Sequence, residues 1–132
     1  MIAREEGTMS VARVMLGLGA LLLFVTAAFH ASGAAMVQGW LPGSRGRILE
    51  LLWVIPTVDW AIVGLLWAAI AWFDDSRLRL LVWISAVIPV MIAILLIKAV
   101  GFGHPGIWLL IGAAVLAIVG SLRLGRGRPA SG

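Results

Sequence analysis

We predict an all-α integral membrane protein, a bundle of four helices that alternate up and down with both termini in the cytoplasm. Composition and apolar segment length support this fold class. Hydrophobic residues make up 62% of the 132 residues and charged residues only 12%, against about 45–50% and about 25% in soluble domains. A single domain of this size cannot bury so much apolar surface. Four apolar segments have close to the roughly 20 residues needed to cross a bilayer.

The predicted spans form one membrane domain, residues 1–132, and cover residues 11–29, 51–73, 80–97 and 107–122. Arg13 lies at the edge of the first span, where its long side chain can reach the headgroups. The connections after the second and third spans are short, which favours antiparallel neighbours. The first segment also has features of a secretory signal peptide. We expect it to remain as a span, because its apolar core is long for a signal.

The basic residues predict the orientation. Three of them, Arg45, Arg47 and Lys98, fall on the side opposite the termini. The other seven are on the side of the termini: Arg4, Arg13, Arg77, Arg79, Arg123, Arg126 and Arg128. Because cytoplasmic segments carry the excess of Lys and Arg, the chain is predicted to be a multi-pass inner-membrane protein with both termini inside.

The composition also excludes several chemistries. The chain has no cysteine, which rules out thiolate nucleophiles, Cys-ligated zinc, iron–sulfur clusters and c-type haem attachment. The basic residues lie at the ends of apolar runs, so we expect no nucleic-acid partner despite the net charge of +4. The two histidines lack the i, i+4 spacing of a metal pair, and we predict no metal site. Ligation of haem b by the two histidines is left as an alternative, and the cofactor is unknown.

Ionisable residues gather in the predicted outer half of the membrane. Asp59 lies inside the second span, about 12 Å deep at a rise of 1.5 Å per residue. His30, Lys98 and His104 end or follow spans on the same side. Because ionisable residues inside a membrane are functional candidates by default, we predict these four as a catalytic group. The structural alternatives are a salt bridge from Asp59 to Lys98 or a histidine, with His30 as a helix-end cap and His104 as a turn residue.

A ligand-binding set is predicted beside this group. Trp53, Trp60 and Trp67 repeat every seven residues and so share one face of the second span, which can stack on a flat lipophile. We assign Trp53, Trp60, Glu50 and Arg45 to ligand binding, the last two at the outer mouth. The alternative is a stripe that faces lipid or packs on helices. Other tryptophans fit an aromatic belt at the interfaces: Trp40, Trp72 and Trp108.

Two prolines lie at a depth similar to that of Asp59. Pro56 and Pro89 each remove a helix hydrogen bond, and kinks on two helices at one depth can enclose a cavity. We expect Asp59 to face the interior of the bundle, on a face that also carries Leu52, Ile55, Ile62, Val63 and Leu66.

Small residues predict where helices approach one another. Gly64 and Ala68 in the second span have a small-xxx-small spacing, and so do Ala113, Ala117 and Ser121 in the fourth, which lets backbones come close. The fourth span has no ionisable residue and is predicted to pack against other helices or a second copy.

These features lead to one functional hypothesis and two alternatives. The chain binds or converts a lipophilic small molecule that enters from the outer leaflet, by acid–base chemistry at Asp59 and a histidine. The first alternative is an accessory or assembly subunit of a larger membrane complex. The second is a proton-coupled small transporter that works as a homodimer. The expected partners are the lipid bilayer, a lipophilic ligand, and a second copy or a membrane complex. No motif identifies a family.

Overall fold

The computed structural model describes residues 10–38 and 40–124, and in this part the chain is helical without strands. Its helices are α1 (Val11–Ser32), α2 (Ala34–Gln38), α3 (Gly43–Phe73), a 3-10 helix (Ser76–Leu78), α4 (Arg79–Val100) and α5 (Pro105–Ser121). The all-α prediction is confirmed. Three stretches are long and apolar enough to cross a membrane, Val11–Val37, Gly43–Phe73 and Ser76–Val100, and α5 is a shorter apolar helix. These lengths indicate a multi-pass membrane protein.

Polar side chains cap the helices at one end of the molecule. Ser10 accepts a hydrogen bond from the backbone N–H of Arg13 and begins α1. Asp74, in the left-handed region at φ 49°, ends α3. Asp75 accepts from the backbone N–H of Arg77 at 2.8 Å and begins the 3-10 helix. Ser10 and Asp75 satisfy N–H groups at helix starts, whereas Asp74 ends α3 with its backbone N–H, which donates to the carbonyl of Ile70. The turn at Asp74 and Asp75 lets α3 and α4 be joined by a short connection.

The helix that contains the second predicted span begins before that span. α3 begins at Gly43 rather than at residue 51. Pro42 is extended, at φ −76° and ψ 152°, and it sets the start. The segment from Gly43 to Glu50 contains two arginines and two glycines, and it lies beyond the apolar run. A helix needs apolar residues only inside the bilayer, so hydropathy marks the span and not the helix.

The backbones of α1 and α5 approach closely. A Cβ added at Gly19 would lie 3.0 Å from the carbonyl oxygen of Ala113 and 3.4 Å from the nitrogen of Ala117. A Cβ added at Gly120 would lie 2.9 Å from Cβ of Met15. The residues predicted to mediate close packing in the last helix, Ala113, Ala117 and Ser121, are all buried.

Helix α3 packs on α1, and Gly64 forms part of this contact. A Cβ at Gly64 would lie 3.2 Å from the Phe24 ring and 3.3 Å from the carbonyl oxygen of Ala20. The second small residue predicted for this helix, Ala68, is exposed instead.

Helix α4 packs along α5 and has few close backbone approaches to α3. The fully buried side chain of Trp67 spans the space between α3 and α4, where its Nε1 donates to Ser85 Oγ at 2.8 Å. On α4, Trp83 Nε1 donates to Ser121 Oγ at 2.9 Å and ties α4 to the end of α5. Pro56 and Pro89 both lie inside helices that continue past them.

We predict that the α1–α5 contact tolerates no larger side chain at Gly19. Gly19→Leu forces the two backbones apart and is expected to lower the free energy of unfolding by about 1–3 kcal/mol, the usual cost of overpacking. The matched control is Gly17→Leu, because a Cβ at Gly17 meets nothing within 4 Å. Denaturation of both variants in detergent measures the difference, and equal stabilities would contradict the contact.

Candidate functional site: a cavity with aromatic walls

A cavity of about 500 Å³ lies at one end of the molecule. The last turns of α1, helix α2, the first half of α3, the second half of α4 and the start of α5 contribute to its walls. Six of the lining side chains carry flat rings: Phe29, His30, Trp40, Trp53, Trp60 and His104. Aliphatic side chains complete the walls, among them Met36, Val37, Ile92, Leu96 and Leu110. The cavity is therefore largely apolar.

His30 is held by three neighbours on α3. Its ring stacks on Trp53, with centroids 4.4 Å apart and 11° between the planes, and it meets the Trp60 ring edge-on at 5.1 Å. Its Nδ1 lies 3.0 Å from the Thr57 hydroxyl, and its backbone carbonyl accepts from Trp53 Nε1 at 2.8 Å. Aromatic pairs and buried hydrogen bonds restrict ring rotation, so the imidazole has a defined orientation.

The second ring nitrogen of His30, Nε2, has no hydrogen-bond partner within the part of the chain that the structure describes. A neutral imidazole has one donor and one acceptor nitrogen. If the Thr57 hydroxyl donates to Nδ1, then Nε2 is the donor, and if Nδ1 donates to Thr57, then Nε2 is the acceptor. Either arrangement leaves Nε2 available to a molecule in the cavity.

Trp60 presents an unsatisfied donor. Its side chain is only 3% exposed, and its Nε1 has no hydrogen-bond partner among the described residues. Leaving a buried donor unpaired costs about 1–3 kcal/mol. The heptad spacing explains why Trp53, Trp60 and Trp67 lie on one side of α3, because seven residues are close to two helical turns. Two of the three line the cavity, and Trp67 lies beyond it.

His104 caps α5. Its Nδ1 accepts a hydrogen bond from the backbone N–H of Gly106 at 3.1 Å, and Pro105 occupies the first helical position. Since Nδ1 acts as an acceptor, the proton of the neutral ring is on Nε2. His104 thus has a structural role at the helix start and also brings a donor nitrogen to the cavity wall.

The four charged residues predicted for this site, Arg45, Glu50, Asp59 and Lys98, do not line the cavity. Lys98 and Arg45 are exposed, and Asp59 is half-buried on α3, one residue before Trp60. The described residues contain no ion pair from Asp59 to Lys98 or to a histidine. The other four residues predicted for this site all line the cavity: His30, His104, Trp53 and Trp60.

The expected orientation of Asp59 needs correction. Three residues assigned to its inward face, Leu52, Ile55 and Ile62, are each more than half exposed. Only Val63 of that set is buried. Asp59 therefore lies at the border between the buried and exposed sides of α3, because Trp60 and Val63 occupy the buried side and each residue turns the helix by about 100°.

The titratable groups that line the cavity, within the described residues, are the two histidines. No three His, Asp or Glu side chains come together there as a metal-binding group. The polar side chains of this largely apolar cavity are two imidazoles, the Trp60 indole and the hydroxyls of Thr26 and Ser32. Such a cavity suits an uncharged ligand, since no Asp, Glu, Lys or Arg lines it as a counter-charge in the described structure.

Several cavity residues were missed because they lie in the connection between the first two spans. Helix α2 brings Met36 and Val37 to the cavity, and Trp40 meets the Trp53 ring edge-on at 6.3 Å. The apolar run Ala34–Val37 directly after Gly33 was the available signal. Thr57 was missed because a threonine inside an apolar helix has no distinctive pattern.

We predict that Trp53 stabilises this end of the fold through its ring and its N–H. Trp53→Phe removes the hydrogen bond to the His30 carbonyl and shrinks the stack, and is expected to cost about 1–2 kcal/mol of unfolding free energy. The control is Trp72→Phe on the same helix, because Trp72 is 80% exposed. Chemical denaturation in detergent compares the two, and an equal loss would disprove the assigned contacts.

Comparison of the chain with known proteins gives no match. No family model matches this sequence, and no curated protein or solved structure matches it. The function is therefore argued from the cavity itself: an apolar enclosure with stacked aromatic walls, an oriented histidine and an unpaired tryptophan donor.

Proposed function

We propose that this chain is a four-span protein of the inner membrane whose cavity binds a lipophilic small molecule from the outer leaflet. The observation that carries the proposal is the cavity of about 500 Å³ with aromatic and aliphatic walls. Ligand sites have volumes of about 300–1,000 Å³ and combine apolar walls with a few placed polar groups. Here those groups are Trp60, His30 and His104.

The proposed topology has four spans that alternate in direction, with both termini in the cytoplasm. Helix α5 has 17 residues, the lower end of the roughly 17–25 that cross a bilayer. The cavity lies at the end of the molecule where α3 and α5 begin, the end at which Arg45, Arg47 and Lys98 occur. Arg77 and Arg79 lie at the opposite end. Arg13 and Arg123 lie at that end too, so it has four of the described basic residues against three at the cavity end, which supports a cytoplasmic assignment.

Binding is favoured over conversion by the kinds of side chain in the walls. His104 already caps α5 with one nitrogen. His30 keeps a ring nitrogen available in the described structure and is the residue that would exchange a proton if the ligand is converted. Asp59 and Lys98, predicted for acid–base work, are outside the lining. Their catalytic roles therefore require a rearrangement that binding does not.

A lipophile can reach the cavity from the bilayer between α3 and α4. These helices contribute Pro56 and Trp60 on one side and Ile92 and Leu96 on the other, and they have few close backbone approaches. Away from the Trp67–Ser85 hydrogen bond these two helices pack loosely, which leaves a lateral path for a lipophile. The ligand would then partition into the bilayer first and enter the cavity sideways.

The proposed orientation in the membrane predicts which introduced cysteines are accessible from outside. The natural chain has no cysteine, so each variant carries a single one. Ser44 and Ser76 are both exposed, near the starts of α3 and α4. A membrane-impermeant maleimide is expected to label Ser44→Cys in intact spheroplasts and Ser76→Cys only after permeabilisation. The two cysteines serve as controls for each other, and the reverse pattern would place the cavity on the cytoplasmic side.

We predict that filling the cavity prevents binding. Leu96 lines it, whereas the adjacent Leu95 is exposed and outside it. In native mass spectra with added N-phenylnaphthylamine, a lipophilic probe, the wild type and Leu95→Trp are expected to show a one-to-one adduct. Leu96→Trp is expected to reduce that adduct about tenfold or more, because the indole occupies the ligand volume. Equal adducts in both variants would refute binding in the cavity.

A further inference from the structure

We infer that the cavity selects a ring-bearing, uncharged lipophile with a carbonyl oxygen, which accepts a hydrogen bond from Trp60 Nε1. This inference rests on the proposed function and specifies its ligand class. It follows from the polar atoms that the fold leaves unpaired in an otherwise apolar enclosure.

The Trp60 donor is an exception among the tryptophans of this chain. The indole nitrogens of Trp53, Trp67, Trp83 and Trp108 donate to protein oxygens at 2.8–3.1 Å. Two others, Trp40 and Trp72, are 58% and 80% exposed, so water can satisfy them. Trp60 is buried, and its Nε1 finds no acceptor in the described structure. Because an indole N–H is only a donor, its missing partner must be an acceptor.

The second polar atom with a fixed role is also a donor. His104 accepts at Nδ1 from Gly106, so its neutral ring has the proton on Nε2. Two donors in one cavity favour a head that only accepts, and a carbonyl oxygen has two lone pairs and no proton to place. A hydroxyl head could donate its own proton to His30 Nε2 in only one of the two ring tautomers, whereas a carbonyl oxygen accepts from Trp60 and His104 in either. An ammonium group only donates hydrogen bonds, so neither of these N–H groups can pair with it.

The walls argue against a charged head. No Asp, Glu, Lys or Arg lines the cavity in the described part of the chain. A carboxylate or phosphate there would be desolvated without a counter-charge, and a carbonyl has no such penalty. The six flat rings of the lining favour a planar ligand, since aromatic faces stack on one another. A quinone combines a planar ring with carbonyl acceptors and is a representative of the class.

The test uses two probes with the same methylated two-ring skeleton. Menadione carries two carbonyls on this skeleton, and methylnaphthalene carries none. Proton–nitrogen correlation spectra of the full chain in detergent micelles resolve its indole N–H groups, and Trp60→Phe identifies the Trp60 signal by its loss. We expect menadione to bind more tightly than methylnaphthalene and to move the Trp60 proton signal downfield.

We expect Trp60→Phe, which keeps a ring but loses the donor, to weaken menadione binding about 3–10-fold, the worth of one hydrogen bond. Methylnaphthalene binding should stay within twofold, and the control Trp83→Phe, outside the cavity, should change neither. Equal affinity of the wild type for both probes with an unmoved Trp60 signal would overturn the carbonyl assignment and leave the binding cavity intact. Binding of neither probe would overturn the proposed function as well. The comparison of menadione with methylnaphthalene on the wild type tests the carbonyl assignment even if Trp60→Phe fails to fold.

Discussion

The close approach of α1 and α5 is the constraint on which the rest of the structure depends. Gly19 and Gly120 let these two backbones meet at distances that a Cβ would not permit. Helix α3 then packs on α1 through Gly64, and α4 packs on α5. In lipid, such packing of small residues replaces the hydrophobic effect as the force between helices. The consequence is that α3 and α4 occupy the outer positions and do not pack closely against each other.

Trp67 and Trp60 show the effect of the loose packing between α3 and α4 at two different depths. Trp67 reaches across to Ser85, which accepts its N–H. Seven residues back along α3 is Trp60, and seven residues further along α4 is Ile92, and both side chains line the cavity. Isoleucine has no acceptor. At that level the space between the helices is the cavity, and the indole N–H is left unpaired.

The sequence predicted the helical class and the small residues of α5, because periodicity and hydropathy report on faces and depth. Of the eight residues predicted for the site, four line the cavity and the four charged ones do not. The sequence did not predict α2 or the early start of α3, since hydropathy describes lipid contact and both lie at the ends of apolar runs. The pairing of His30 with Thr57 was beyond prediction for another reason. It depends on how α1 and α3 are aligned, and a single sequence carries no direct signal of that alignment.

The position of Asp59 on α3 bears on why the N–H of Trp60 is unpaired. A carboxylate is an acceptor, and in the cavity wall it would satisfy the N–H of Trp60 from within the protein. Asp59 is the residue next to Trp60, yet the helical turn of about 100° per residue places it at the border of the exposed side. The donor therefore stays unpaired in the described structure, and the cavity has no Asp, Glu, Lys or Arg among its described lining residues. Helical geometry, through a shift of one position, separates the Asp59 carboxylate from the unpaired N–H of Trp60.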